Sequence, residues 1–162
     1  MSLTFTGDFG KLKEFAAKLE ATPKQLDVVS RNMSEESITL IADGFRGERD
    51  PYGKKWKKNL RGGKILSDKG ALRSSWNVVK ATRNGFAVAA GVFYAAVHQS
   101  GKVIRAKNAA NLVFKIGKRW TRKKQVKIPQ RMMIPTTARG LPGTWEQAFN
   151  EVFNEVMGAH FG

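Results

Sequence analysis

Few residues in this chain are of a type and spacing that could carry chemistry. His98 with Ser100 or Ser67, and Asp68 to orient the imidazole, supplies the ingredients of an activated nucleophile, but no Gly-x-Ser-x-Gly elbow presents either serine. The bland role for His98, a structural hydrogen-bonding group beside Tyr94, needs no such elbow. Gly62-Gly63-Lys64 has the ending of a phosphate-binding loop. It lacks the glycine five positions before Gly63, where Lys58 stands, and the hydroxyl after the lysine, where Ile65 stands. There is no cysteine, and His98 and His160 are the only histidines, so a disulfide framework, a thiolate zinc site and an iron–sulfur cluster are excluded and a His-rich metal centre is not expected. No cofactor is expected either. A different chemistry, phosphate and base contact, is available to a basic segment in which Phe114, Lys115, Lys118, Arg119, Trp120, Arg122, Lys123 and Lys124 interleave cations with aromatic rings. No helix-turn-helix, zinc-finger or RNA-recognition signature accompanies it.

The charge of the chain is concentrated around that segment. The 162 residues carry +16 at pH 7. Residues 1–50 hold 7 basic and 9 acidic side chains, 51–143 hold 22 and 1, and 144–162 hold 0 and 3. The single middle carboxylate is Asp68, so a paired-carboxylate acid–base site would have to be assembled from the chain ends. Between Lys102 and Arg131 there are 11 Lys or Arg and no Asp or Glu. Such a stretch suits a solvated loop, an arm against an acidic neighbour, or DNA contact. The first residues lack the basic and apolar regions of a signal peptide, which predicts a chain that stays in the cytoplasm where it is made. The longest uncharged apolar run, 86–97, is short of the ~20 residues of a membrane span, so no membrane partner is expected.

The elements that must position these residues follow from periodicity. Residues 3–6 alternate as a short strand would, and Asp8 can cap a helix with apolar Phe9, Leu12, Phe15, Ala16 and Leu19. Thr22-Pro23-Lys24-Gln25 reads as a fresh start, a capping box with proline at the first helical position. The second helix follows the stripe Leu26, Val29, Met33, Ser37, Leu40, Ile41 and Phe45, and Gly47 stops it after roughly 37 Å. Residues 50–69 are basic and turn-rich. A β-hairpin is predicted over 72–92, turning at Arg83-Asn84-Gly85. Tyr94–Ser100 is a helical turn or further strand, ended by Gly101. Residues 102–127 are expected as a basic loop or protruding arm, with a strand available at 111–116. Val126, Ile128 and Met133, Ile134 look like short extended pieces punctuated by Pro129 and Pro135. A second capping box at Thr144 opens a terminal helix to Gly158, packing on the sheet. The expectation is one α+β domain over 1–162: N-terminal helices including one long one, a central antiparallel sheet with its hairpin, and a C-terminal helix.

Four short constellations carry the rest. Asp50-Pro51-Tyr52-Gly53-Lys54-Lys55-Trp56 follows the long helix, where Pro51 and Gly53 make a tight turn and Trp56 folds back on the helix end. Lys64-Ile65-Leu66-Ser67-Asp68-Lys69-Gly70-Ala71-Leu72-Arg73-Ser74-Ser75-Trp76 leads into the hairpin, with Gly70 turning the chain and Leu72 opening the buried face. Tyr94-Ala95-Ala96-Val97-His98-Gln99-Ser100-Gly101 places Tyr94 and His98 four apart, where they meet if the segment is helical. Ile128-Pro129-Gln130-Arg131 ends in a guanidinium able to fork onto a carboxylate or carbonyls. All four are read chiefly as architectural.

In this order and spacing, over about residues 1–135, the four constellations resemble the D-P-x-G-x-x-W, K-x-L-x-D-x-G-x-L, Y-A-x-x-H-x-x-G and I-P-x-R segments of the phage virion morphogenesis family, the Mu-like tail completion proteins. The resemblance implies a structural phage or prophage protein that acts in tail completion and head–tail joining, assembles as a ring of identical subunits and performs no catalysis. It also implies tail-tube or head-connector proteins as partners and a place in the virion. The alternative is a DNA-binding accessory protein using 102–131. If Lys115, Lys118, Arg119, Arg122, Lys123 and Lys124 all neutralised phosphates, duplex affinity would fall with a log–log salt slope near about −5. DNA sliding through a channel favours weaker contact: binding detectable at low salt, nearly gone once charges beyond ~8 Å are screened, and lowered by changing the six to Ser without loss of folding. Sub-micromolar, sequence-selective binding at physiological salt, measured by titration against duplexes, would instead favour the accessory protein.

Overall fold

The computed structural model describes residues 10–59, 62–67, 69–116 and 118–161. The expected strand at 3–6, the Asp8 cap and Asp68 lie outside the described residues.

One helix, α1 (Gly10–Gly47), forms the spine. The predicted break at Thr22-Pro23 does not occur. Pro23 sits inside the helix, and the Thr22 hydroxyl donates to the Lys18 carbonyl (3.0 Å) instead of capping a new start. A proline costs a helix one bond, and here tertiary contact offsets it. The terminal helix α4 (Gly143–Phe161) lies antiparallel along α1, and next to Pro23 the His160 Nε2 meets the Lys18 carbonyl (2.8 Å) while Lys18 Nζ donates to the Phe161 carbonyl (3.3 Å). In the second half of α1 Ser34 and Ser37 are fully buried, their hydroxyls donating to the carbonyls of Arg31 (2.6 Å) and Met33 (2.8 Å). Small side chains that satisfy themselves this way let neighbours approach the helix closely. At the helix end the left-handed residue is Glu48 (φ 50), not Gly47. A Cβ at Gly47 would stand 2.5 Å from Arg49 Nε, the end of an exposed side chain that can swing aside.

The hairpin begins later than the alternation suggests. Residues Ala71–Ser74 form a single turn, α2, and the strands are β1 (Trp76–Thr82) and β2 (Gly85–Ala90). Leu72, Ser75 and Trp76 fit a helical spacing as well as a period of two, and serine back-bonding decides between them: Ser74 Oγ donates to the Gly70 carbonyl (3.1 Å) and Ser75 Oγ to that of Leu72 (2.9 Å). The register runs from Trp76↔Ala90 to Thr82↔Gly85 with a bulge at Val79, and the Arg83 amide donates to Asp27 Oδ1 (2.6 Å), which ties the hairpin's turn to α1.

Tyr94–Ser100 resolves as a helix, α3 (Ala95–Ser100). The segment expected as a loop or protruding arm carries a β-ribbon, in which the strand available at 111–116 is present at 112–116. Its base pairs β3 (Lys102–Arg105) with β6 (Gln125–Ile128), and its outer part pairs β4 (Leu112–Ile116) with β5 (Arg119–Lys123). The return strand, 119–128, spans about 30 Å at ~3.3 Å per residue. The strands therefore make three separate two-stranded ladders rather than one central sheet.

α4 starts at Gly143, with the amides of Trp145 and Glu146 bonded to the Pro142 carbonyl (2.9 and 3.0 Å). Thr144 thus lies inside the first turn, and the helix runs on through Gly158. It packs mainly on α1 and reaches the hairpin through the edge-on Phe149–Phe86 pair (5.8 Å). The core sits at the C-terminal end of α1, where Ile41, Phe45, Trp56, Ile65, Leu72 and Trp145 are buried together with Ala95 and Met133.

Candidate functional site

The first constellation makes a closed turn on the end of α1. Asp50 is buried, and its Oδ1 accepts the amides of Tyr52 (3.0 Å) and Lys54 (2.9 Å) while its backbone amide donates to the Lys54 carbonyl (2.8 Å). Pro51 and Gly53 (φ +84) complete the turn, and Arg139 Nη1 stands 4.0 Å from Asp50 Oδ2. The chain then returns Trp56 to the helix, 6% exposed, its ring edge-on to Phe45 at 5.4 Å and its indole N–H donating to the Met132 carbonyl (3.0 Å). Glu48 extends the same knot, since its Oε1 accepts the Ile65 amide (2.6 Å).

The other constellations close on this turn. Gly70 (φ 74) precedes α2, and Leu72 enters the core. Arg131 is buried and forks onto one acceptor, the Lys57 carbonyl, through Nε (3.0 Å) and Nη2 (2.9 Å), while its amide donates to the His98 carbonyl (2.7 Å). Tyr94 and His98 meet edge-on at 6.2 Å. Burial, and then the positive charge of Arg131, hold the His98 imidazole below its ordinary pKa, so it is neutral at pH 7. Gly101 marks the point where the start of the ribbon passes against the chain leaving β6 at Pro129. Two residues not singled out in the sequence complete the arrangement. The Gln99 side chain accepts from the Met133 (2.7 Å) and Ile134 (3.3 Å) amides and donates to the Ile134 carbonyl (2.8 Å). The Tyr52 hydroxyl donates to the Gly140 carbonyl (2.8 Å) and accepts the Thr136 amide (3.1 Å), with Arg139 stacked 3.6 Å over its ring. A polar side chain on a short helix and a tyrosine in a turn carry no distinguishing spacing, so neither had a signal to find.

These contacts mostly tie side chains to backbone, and His98, whose Nδ1 takes no hydrogen bond from the described residues, lines a cleft of about 340 Å³ with Tyr94, Lys64 and Lys69. The Ser100 and Ser67 hydroxyls bond to the carbonyls of Ala96 (2.9 Å) and Ile65 (3.2 Å), not to His98. Among the described residues no group of three or more acidic or histidine side chains could hold a metal ion, and no helix is long and apolar enough to cross a membrane. A groove of about 540 Å³ runs beside the helix end, between Asp43, Arg46, Asp50 and Trp145, and Asp43 and Arg46 within it are already paired with each other.

The ribbon is the other candidate, and it carries the second set of residues. Cross-strand pairing puts Lys115 beside Trp120 and Val113 beside Arg122 on one face, and Ile116 beside Arg119 and Leu112 beside Lys123 on the other. Lys118 stands at the tip and Lys124 at the joint between the two ladders. Trp120 is 72% exposed. The cations and aromatics are thus brought onto one projection but divided between its faces.

Comparison with curated proteins and with solved structures gives no match to the chain. The profile of the phage virion morphogenesis family, in contrast, matches residues 8–158, which takes in all four constellations, the ribbon and nearly all of α4. Matched over that length, the chain belongs to the phage virion morphogenesis family and has a phage structural or assembly role.

Proposed function

We propose that this protein acts without catalysis in tail completion and head–tail joining, as a ring of identical subunits in the virion of a phage or prophage, next to tail-tube or head-connector proteins. The observation that carries this reading is the family match over 8–158. The site geometry supports it, because the side chains of Asp50, Trp56 and Arg131 are committed to backbone contacts, as suits a domain that presents surfaces. Removing the gene should leave separate heads and tails in lysates viewed by electron microscopy, and supplying it in trans should restore joined particles. Joined, infectious particles in its absence would overturn the reading. An exposed Trp120 on the same ribbon face as Lys115 and Arg122 favours one second reading, the DNA-binding accessory protein, which the salt titration described above distinguishes.

A further inference from the structure

Two of the four constellations meet at a place that the proposed role does not use. Lys64 and Lys69 of the second, and Tyr94 and His98 of the third, line one cleft of about 340 Å³ together with Asn59 and the buried Leu72. That volume is at the small end of ligand-sized pockets and suits an ion or a small molecule, not a docking helix or strand.

The polar groups here differ from those of the neighbouring constellations. Asp50, Trp56 and Arg131 are bonded to backbone, whereas His98 Nδ1 and Asn59 Oδ1 are both buried and take no hydrogen bond from the described residues. Asn59 Nδ2 donates to the Lys64 carbonyl (3.5 Å), which leaves Oδ1 as the open acceptor. Buried polar atoms are almost always bonded, and two of them on one small cleft point to a bound group. The charge around them has one sign. Lys64 and Lys69 are exposed, neither is in an ion pair with a described residue, and no Asp or Glu is among the described residues lining the cleft. The nearby Arg131 guanidinium adds to the positive field at His98.

The occupant must therefore carry negative charge, accept a hydrogen bond from a neutral imidazole and donate one to an amide oxygen. Sulfate and a DNA phosphodiester have no proton to donate. Hydrogen phosphate has both. We propose that this cleft binds hydrogen phosphate, with Lys64 and Lys69 balancing its charge, His98 donating from Nδ1, and Asn59 Oδ1 accepting the phosphate hydroxyl. Charge-assisted bonds to phosphate oxygens give the affinity, and the single acceptor gives the choice among anions. The inference goes beyond the proposed function and does not depend on the ring.

The test is an NMR titration of the full chain with potassium phosphate at physiological ionic strength. His98 and His160 are the only histidines, so two imidazole signals report two separate places, and His160, bonded to the Lys18 carbonyl, serves as the internal control. Phosphate should move the His98 signal saturably and raise its pKa, because a bound anion favours the imidazolium, while His160 stays unmoved. Sulfate should bind roughly tenfold more weakly or worse. Lys64→Gln with Lys69→Gln should weaken phosphate binding by about tenfold or more, and Lys118→Gln with Lys123→Gln on the ribbon should leave it unchanged, with thermal melting as the folding control. Equal losses in the two double variants would mean diffuse attraction to a basic chain and overturn the site. Equal binding of sulfate, or movement of the His98 signal by duplex DNA alone, overturns hydrogen phosphate as the occupant. Asp68 stands between the two lysines in sequence. If Asp68→Asn lowers the pKa of His98 in phosphate-free buffer, the chain's own carboxylate holds that place and the inference fails.

Discussion

Replacing Trp56 with alanine is expected to lower the unfolding free energy by about 3–5 kcal/mol, as large-to-small changes in a packed core do. The indole is 6% exposed, stacks edge-on against Phe45 at 5.4 Å, and donates to the Met132 carbonyl at 3.0 Å. Its removal opens a cavity between the end of α1 and the 131–134 segment and leaves a half-buried carbonyl without its donor. Trp56→Phe keeps most of the ring and loses the N–H, so its cost should be nearer the ~1–3 kcal/mol of an unmet hydrogen-bonding group. Urea unfolding of the three proteins measures both. Unchanged melting with failed assembly would move Trp56 from the core to a partner surface.

Gly101→Ala should be comparably damaging, by about 3 kcal/mol or more, for a different reason. Gly101 adopts φ 71 and ψ 151, a region that residues with a Cβ avoid at a cost of roughly 1–3 kcal/mol. A Cβ there would also stand 2.9 Å from the Gln130 nitrogen and 3.2 Å from both the Gln130 Cα and the Ile128 carbonyl oxygen. These are backbone atoms that cannot rotate away, and moving them strains the neighbouring Arg131 amide bond to the His98 carbonyl (2.7 Å). Gly53→Ala is the control. It has φ +84 with nothing within 4 Å of the new Cβ, so only conformational strain of about 1–2 kcal/mol remains. Equal losses at the two positions, in the same denaturant series, would show that the close approach at Gly101 is unimportant.

Residue types and spacing alone determined a good deal here. The stripe from Leu26 to Phe45 marks a long helix because one face must be apolar every three to four residues. Arg83-Asn84-Gly85 marks a hairpin, and the terminal apolar face marks α4. Cysteine and histidine content restricted the chemistry, and the four constellations pointed to the family because turns built on Pro51, Gly53, Gly70 and Gly101 need particular residues at particular places. Tertiary structure decided what local signals leave degenerate. A capping box is as good a sequence before a helix as within one, and α4 lying across Lys18 carries α1 past Thr22-Pro23. Leu72–Ser75 fits either period until the serine hydroxyls close a turn. In the ribbon the alternation at 112–116 was legible as a strand, whereas β3 and β5 are exposed at nearly every residue and are held by backbone bonds, which any side chain permits. Gln99 and Tyr52 became structural anchors through partners 34 to 88 residues away, and no window of sequence contains both ends of such a contact.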